Sequence, residues 1–134
     1  MDLRTFQCAI ICGSDTSMAL FVIATPIGNP KDITLRAVEI LKSADLVVGE
    51  ELKVLRSILK SVGVQAPRTD QLNEHSTSQD VDFLLGEARD KTVALVSDCG
   101  TPGFCDPAAD LVAACRKSRV PVHGVPGPSS LMAL

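Results

Sequence analysis

Ser97-Asp98-Cys99-Gly100-Thr101-Pro102-Gly103-Phe104-Cys105-Asp106-Pro107 follows the run Thr92-Val93-Ala94-Leu95-Val96 and leads into Ala108, Leu111, Val112 and Cys115. The run is apolar and rich in β-branched residues, the composition of a buried strand. The residues after the loop recur at helical spacing, and Asp106 and Pro107 suit the cap and first turn of a helix. A Gly- and Pro-rich loop therefore joins the carboxyl end of a strand to the amino end of a helix. In open α/β sheets that is where ligands bind. Gly100 and Gly103 let the backbone approach a ligand closely, while the two prolines stiffen the loop. A plain β–α connection is the other reading, although such loops commonly take two to six residues.

Working upstream, Leu20–Ala24 is a continuous apolar run, the pattern of a strand buried on both faces. It ends in Thr25-Pro26-Ile27-Gly28-Asn29-Pro30-Lys31-Asp32, a second loop heavy in Gly, Pro and Asn. Ile33, Ala37, Val38, Ile40, Leu41 and Ala44 form a helical stripe, and Leu46-Val47-Val48 a short second strand. Leu52, Leu55, Ile58, Leu59 and Val62 make the next stripe, closed by Gly63. Lys53, Arg56 and Lys60 fall on its other side; a solvated face and a phosphate-contacting face both fit them. A short third strand is expected near Arg68–Leu72. Thr77 and Asp80 form a capping pair before Val81, Leu84, Leu85 and Ala88.

Downstream, Val120–Val125 reads as a last strand, and Pro126-Gly127-Pro128-Ser129-Ser130 turns into a helical start at Leu131. The chain stops about one turn into that helix, so a continuation is expected. Alternation of strand and helix predicts an α/β fold: a mostly parallel five-stranded sheet with helices on both faces. Residues 1–17 do not share this pattern. They are expected to be an extension, a cloning remnant or a misassigned start, with the domain proper at 18–134.

The 134 residues are 46% hydrophobic and 22% charged, with a formal net charge of −3. That is ordinary globular composition, and any nucleic-acid contact must come from a local patch. No apolar run reaches the ~18 residues of a membrane span, so no membrane association and a cytoplasmic location are expected. Cys8, Cys12, Cys99, Cys105 and Cys115 are odd in number and irregular in spacing, which argues against a disulfide framework. His75 and His123 show no metal-ligand spacing to them, and no metal is expected. Neither a Gly-x-Gly-x-x-Gly after the first strand nor a phosphate-loop motif is present.

Three Gly/Pro loops, Thr25–Asp32, Ser97–Pro107 and Pro126–Ser130, thus leave strand carboxyl ends and can line one crevice. Their motifs resemble those of the tetrapyrrole methylase superfamily. The matching stretches are Thr25-Pro26-Ile27-Gly28-Asn29, Asp32-Ile33-Thr34-Leu35-Arg36-Ala37, Ser97-Asp98-x-Gly100-Thr101-Pro102-Gly103-x-x-Asp106-Pro107 and Val125-Pro126-Gly127-Pro128-Ser129. Within the superfamily they look like the branch that methylates the ribose 2′-hydroxyl of a cytidine in 16S ribosomal RNA. The resemblance covers residues 18–134 and implies an amino-terminal domain whose carboxy-terminal partner is absent. It implies S-adenosylmethionine as cofactor, bordered by Pro26, met by the Gly100-Thr101-Pro102-Gly103 turn and approached by Ser129 and Ser130. It also implies ribosomal RNA or the 30S subunit as partner, and a homodimer. Asp98 is a candidate to take the hydroxyl proton; capping of its own loop is the other role open to it.

The resemblance has gaps. Where the RNA branch reads Ala-Glu-Asp-Thr-Arg, this chain has Gly49-Glu50-Glu51-Leu52-Lys53, and Asn73-Glu74-His75-Ser76-Thr77 matches a His-Glu-His-Asn-Glu-like stretch only in part. An enzyme of the same type with another substrate, or a non-catalytic dimerisation or interaction module keeping the fold, therefore stand as alternatives.

Overall fold

The computed structural model describes residues 18–66, 68–98, 100 and 107–128. Among the described residues, strands and α-helices alternate: β1 (Ala19–Ile23), α1 (Leu35–Ser43), β2 (Leu46–Gly49), α2 (Leu52–Ser61), β3 (Thr69–Gln71), α3 (Ser78–Asp90), β4 (Thr92–Val96), α4 (Pro107–Lys117) and β5 (Val122–Val125). The five strands form one sheet in the order β3-β2-β4-β1-β5, and all four pairings are parallel.

Side-chain alternation divides the core between the two faces of the sheet. Ala19, Phe21, Ile23, Val47, Ala94 and Val96 pack with Ala37, Ile40, Leu41, Leu55 and Leu59, so α1 and α2 cover one face. Leu20, Leu46, Val48, Val93 and Leu95 pack with Leu84, Ala88, Ala108, Leu111 and Cys115, so α3 and α4 cover the other. The unbroken apolar runs of β1 and β4 are what a strand covered on both faces requires. Topology gives the same result. The crossovers through α1 and α2 run toward the β3 edge and those through α3 and α4 run back, and right-handed crossovers in opposite directions lie on opposite faces.

Helix boundaries follow local chemistry. Thr34 caps α1, its hydroxyl accepting from the Ala37 N–H at 3.1 Å. Thr77 and Asp80 form the expected reciprocal capping box at α3, an arrangement in which the cap alone contributes about 1 kcal/mol. Gly63, two residues beyond α2, adopts φ +76°, the left-handed conformation that glycine supplies at a helix end.

Four expected boundaries are corrected. The first strand is Ala19–Ile23 rather than Leu20–Ala24: the Ala24 N–H still bonds the Val125 carbonyl, but the next residue has left the parallel ladder for the Thr25–Gly100 bridge. The helical stripe begins at Leu35 and not Ile33: Pro30–Asp32 forms a 3-10 turn capped by the Asn29 side chain, and Ile33 closes it in extended conformation. The third strand is only Thr69–Gln71. The last is Val122–Val125, since Pro121 has no N–H to give a ladder.

Candidate functional site

Thr25 is the first polar residue after the apolar run of β1, and it is fully buried. Its N–H donates to the Gly100 carbonyl at 2.8 Å, closing an antiparallel bridge beyond the parallel sheet. The Ser97 hydroxyl also donates to that carbonyl, at 3.1 Å. A carbonyl oxygen has two lone pairs. Thr25 N–H and Ser97 Oγ occupy them, so the Thr25 hydroxyl donates to its shorter partner, the Ser97 carbonyl at 3.1 Å, rather than to Gly100 at 3.3 Å. Gly100 holds φ +83°, which a side chain would strain. The loops leaving β1 and β4 are thereby locked together.

The loop leaving β5 joins them. A Cβ placed on Gly127 would lie 3.0 Å from the Ala24 Cβ and 3.5 Å from the Ala24 carbonyl oxygen, so glycine is what allows this approach. Pro26, immediately beyond the bridge, is half-buried. Of the expected cofactor-contacting residues, Pro26 and Gly100 thus stand on one edge. Thr101, Pro102, Gly103, Ser129 and Ser130 lie outside the described residues.

Asp98 faces the other neighbour of β4. Its carboxylate accepts from the backbone N–H of Glu51, at the start of α2. Burial pushes the Asp98 carboxyl above its ordinary value; the Glu51 N–H works against this, and the Glu51 charge adds to it. A half-buried carboxylate with a raised pKa, at the carboxyl end of a central strand, has the environment of a group suited to accept a proton. Here α2 leaves on one face of the sheet and α4 on the other, the switch-point arrangement at which open α/β sheets form a ligand crevice. On the β2 side, Leu72 N–H donates to the Gly49 carbonyl at 2.8 Å and Asn73 Nδ2 to the Glu50 carbonyl at 3.4 Å, fixing that rim.

The sequence reading did not single out Thr25 or Glu51 as site-forming residues. The signal for Thr25 was its place as the first hydroxyl after an apolar run. Glu51 holds Asp98 through its backbone N–H, which carries no residue-type signal, and its charge acts beside that bond.

A ligand seated on this edge meets tightly approached backbone at Gly100 and Gly127 and the carboxylates of Asp98 and Glu51. Two carboxylates suit a ligand with a cationic centre, and S-adenosylmethionine carries one. Among the described residues no cluster of three or more His, Cys, Asp or Glu is placed to hold a metal, and no helix is long and apolar enough to cross a membrane.

The family model for Tetrapyrrole (Corrin/Porphyrin) Methylases matches residues 19–134. The chain belongs to the tetrapyrrole methylase family. Over 115 residues it is 42% identical to a protein named ribosomal RNA small subunit methyltransferase I from Leptospira biflexa, covering 86% of this chain and 48% of that one. It is also 42% identical over 115 residues to the protein of the same name from Neisseria meningitidis serogroup B, covering 85% and 39%. The chain thus spans half or less of the length of these two relatives. A solved cobalt precorrin-4 methyltransferase of cobalamin biosynthesis shares the fold, with a TM-score of 0.66 at 21% identity over 92% of this chain and 51% of that one.

Proposed function

We propose that this chain is the amino-terminal half of an S-adenosylmethionine-dependent methyltransferase that modifies small-subunit ribosomal RNA, at the 2′-hydroxyl of a cytidine. The observation that carries the reading is the Thr25–Gly100 bridge. It brings two of the family's loops onto one edge, beside the crevice where Asp98 stands. The names of the 42% identical relatives support the RNA substrate.

In this reading residues 1–17 are an extension and 18–134 the domain, with a second domain completing the cleft. When bound, the cofactor supplies an electrophilic methyl group for in-line transfer to an oxygen. Gly100 to Gly103 and Pro26 border it, Ser129 and Ser130 approach it, and the acidic rim tolerates its sulfonium. Asp98 takes the hydroxyl proton as the oxygen attacks, its raised pKa making it the stronger base. Most of the rate then comes from holding the two reactants in line. The protein acts as a homodimer in the cytoplasm.

One observation favours a second reading, a related enzyme with a different substrate. Where the RNA branch carries Thr-Arg, Leu52 packs against the core and only Lys53 remains exposed.

Calorimetric titration of S-adenosylmethionine into this chain and into a form extended through the following domain tests the proposal. Binding by the extended form, with methyl transfer to 30S subunits, supports it. Binding by neither form overturns the cofactor assignment and leaves an interaction module.

A further inference from the structure

Helix α2 has the sequence Leu-Lys-Val-Leu-Arg-Ser-Ile-Leu-Lys-Ser: three basic residues and no acidic one, in a chain whose net charge is −3. At 3.6 residues per turn, Lys53, Arg56 and Lys60 fall within an arc of about 60°, and Lys53 and Lys60 lie about 10 Å apart along the axis. All three are exposed, with Ser57 between them. Among the described residues the ion pairs are Arg68–Glu87, Lys91–Glu87 and His75–Glu74, and none involves this strip.

The helix dipole accounts for Lys60, which stands in the last turn of α2, but not for Lys53. Lys53 stands in the first turn, at the positive end of the helix dipole, where a cation is disfavoured. On the opposite face of the sheet, α3 carries Asp80, Asp82, Glu87 and Asp90 against Arg89 alone. Positive charge is therefore gathered on one layer of helices. The strip also begins at the site: α2 starts beside Glu51, whose N–H holds Asp98, and runs away from the crevice.

We propose that Lys53, Arg56 and Lys60 form a phosphate-binding strip that docks the RNA substrate beside the crevice, an inference that rests on the RNA methyltransferase reading above. Neighbouring phosphates of one strand match a row of cations along a helix, and each cation seated on a phosphate releases a counterion. A membrane surface fits less well. Among the described residues the exposed large hydrophobics are Met18, Leu35 and Phe83, none on α2, so the strip has no fully exposed large apolar residue beside it to insert.

The test is the salt dependence of binding of the full-length protein to 30S subunits between 50 and 200 mM salt. Replacing all three residues (K53Q/R56Q/K60Q) is expected to lower the log–log slope by about 2 to 3 and to weaken binding roughly tenfold to a hundredfold at 0.15 M salt. S-adenosylmethionine affinity should stay at the wild-type value. The charge-preserving K53R/R56K/K60R protein should keep the wild-type slope, and so should R89Q/R116Q/K117Q on the other helix layer. Should the triple glutamine protein not fold, R56Q/K60Q, expected to lower the slope by about 1 to 2, replaces it.

An unchanged slope in a protein that still methylates 30S subunits overturns the strip alone. Binding to vesicles containing anionic lipid that the triple replacement abolishes, with the RNA slope unchanged, assigns the strip to a membrane and overturns it too. A wild-type protein that binds S-adenosylmethionine but neither binds nor methylates 30S subunits defeats the substrate reading, and the strip with it.

Discussion

Thr25 and Gly100, 75 positions apart, share one hydrogen-bonded lock: the Thr25 N–H reaches the Gly100 carbonyl at 2.8 Å, and the buried Thr25 hydroxyl holds the Ser97 carbonyl at 3.1 Å. Thr25→Val keeps the shape and removes the hydroxyl, leaving a buried carbonyl short of a donor. The expected loss is about 1–2 kcal/mol in urea unfolding, together with weaker S-adenosylmethionine binding by the cleft-containing protein. Unchanged stability would mean that the bridge N–H alone holds the two loops.

Gly127→Ala tests the third loop. Its new Cβ would sit 3.0 Å from the Ala24 Cβ, which cannot rotate away, so β5 must move off β1 at its exit. Overpacking of this kind costs roughly 1–3 kcal/mol. Gly28→Ala, where nothing lies within 4 Å, is the matched control and should unfold at nearly the wild-type urea concentration.

Asp98→Asn separates chemistry from stability. Because burial raises the folded-state pKa of Asp98, the protonated form is favoured in the fold. The associated stability is present below the ordinary carboxylate pKa of 3.8 and is lost as pH rises through the raised value. At pH 7 the neutral amide should therefore unfold no more easily than wild type, while still accepting from the Glu51 N–H. If Asp98 takes the substrate proton, methyl transfer should fall by roughly 10²–10⁴ with cofactor affinity kept. Full activity in the variant would leave Asp98 as a loop cap.

Glu87 sets an acid limit. Its hydrogen bond to Lys91 leads in lowering its pKa, helped by the charges of Arg68 and Lys91 and opposed by burial. A lowered carboxylate contributes above the ordinary 4.5 and loses that contribution as pH falls through the folded value. Both cations are more than 40% exposed, so Glu87→Gln should cost only about 0.5–1 kcal/mol at pH 7. The difference from wild type should shrink in melts as pH falls below 4.5 and through the lowered folded value.

His123 lies against Phe21 with ring centroids 5.1 Å apart. Burial, and then the charge of Arg36, lower its pKa below the ordinary 6.5. The neutral ring is thus favoured in the fold, and stability should decline as pH falls below 6.5 toward the folded value. Proton NMR titration should show the His123 ring becoming charged only below the ordinary 6.5.

The sheet was legible because Leu20–Ile23 and Val93–Val96 are unbroken apolar runs, the pattern of a strand covered on both faces. The Thr77–Asp80 box was legible for a similar reason, since both bonds lie within four residues. Pairing order was not. That β1 lies between β4 and β5 depends on crossover direction, and no residue in β1 records it. The edge position of the loops could be read from Gly and Pro content, but the lock between Thr25 and Gly100 could not. It spans 75 positions and relies on a backbone carbonyl.

The strand order also has a consequence for the nascent chain. Both neighbours of β1 are the last strands of this sheet to be synthesised, and β4 begins roughly 70 residues after β1 ends. At about 5–20 residues per second, Ala19–Ile23 leaves the ribosome and waits on the order of 4 to 14 seconds without a strand to pair with. During that interval five apolar residues are open to any chaperone at the exit tunnel. The edge that carries the loops is assembled only when translation has passed Val125.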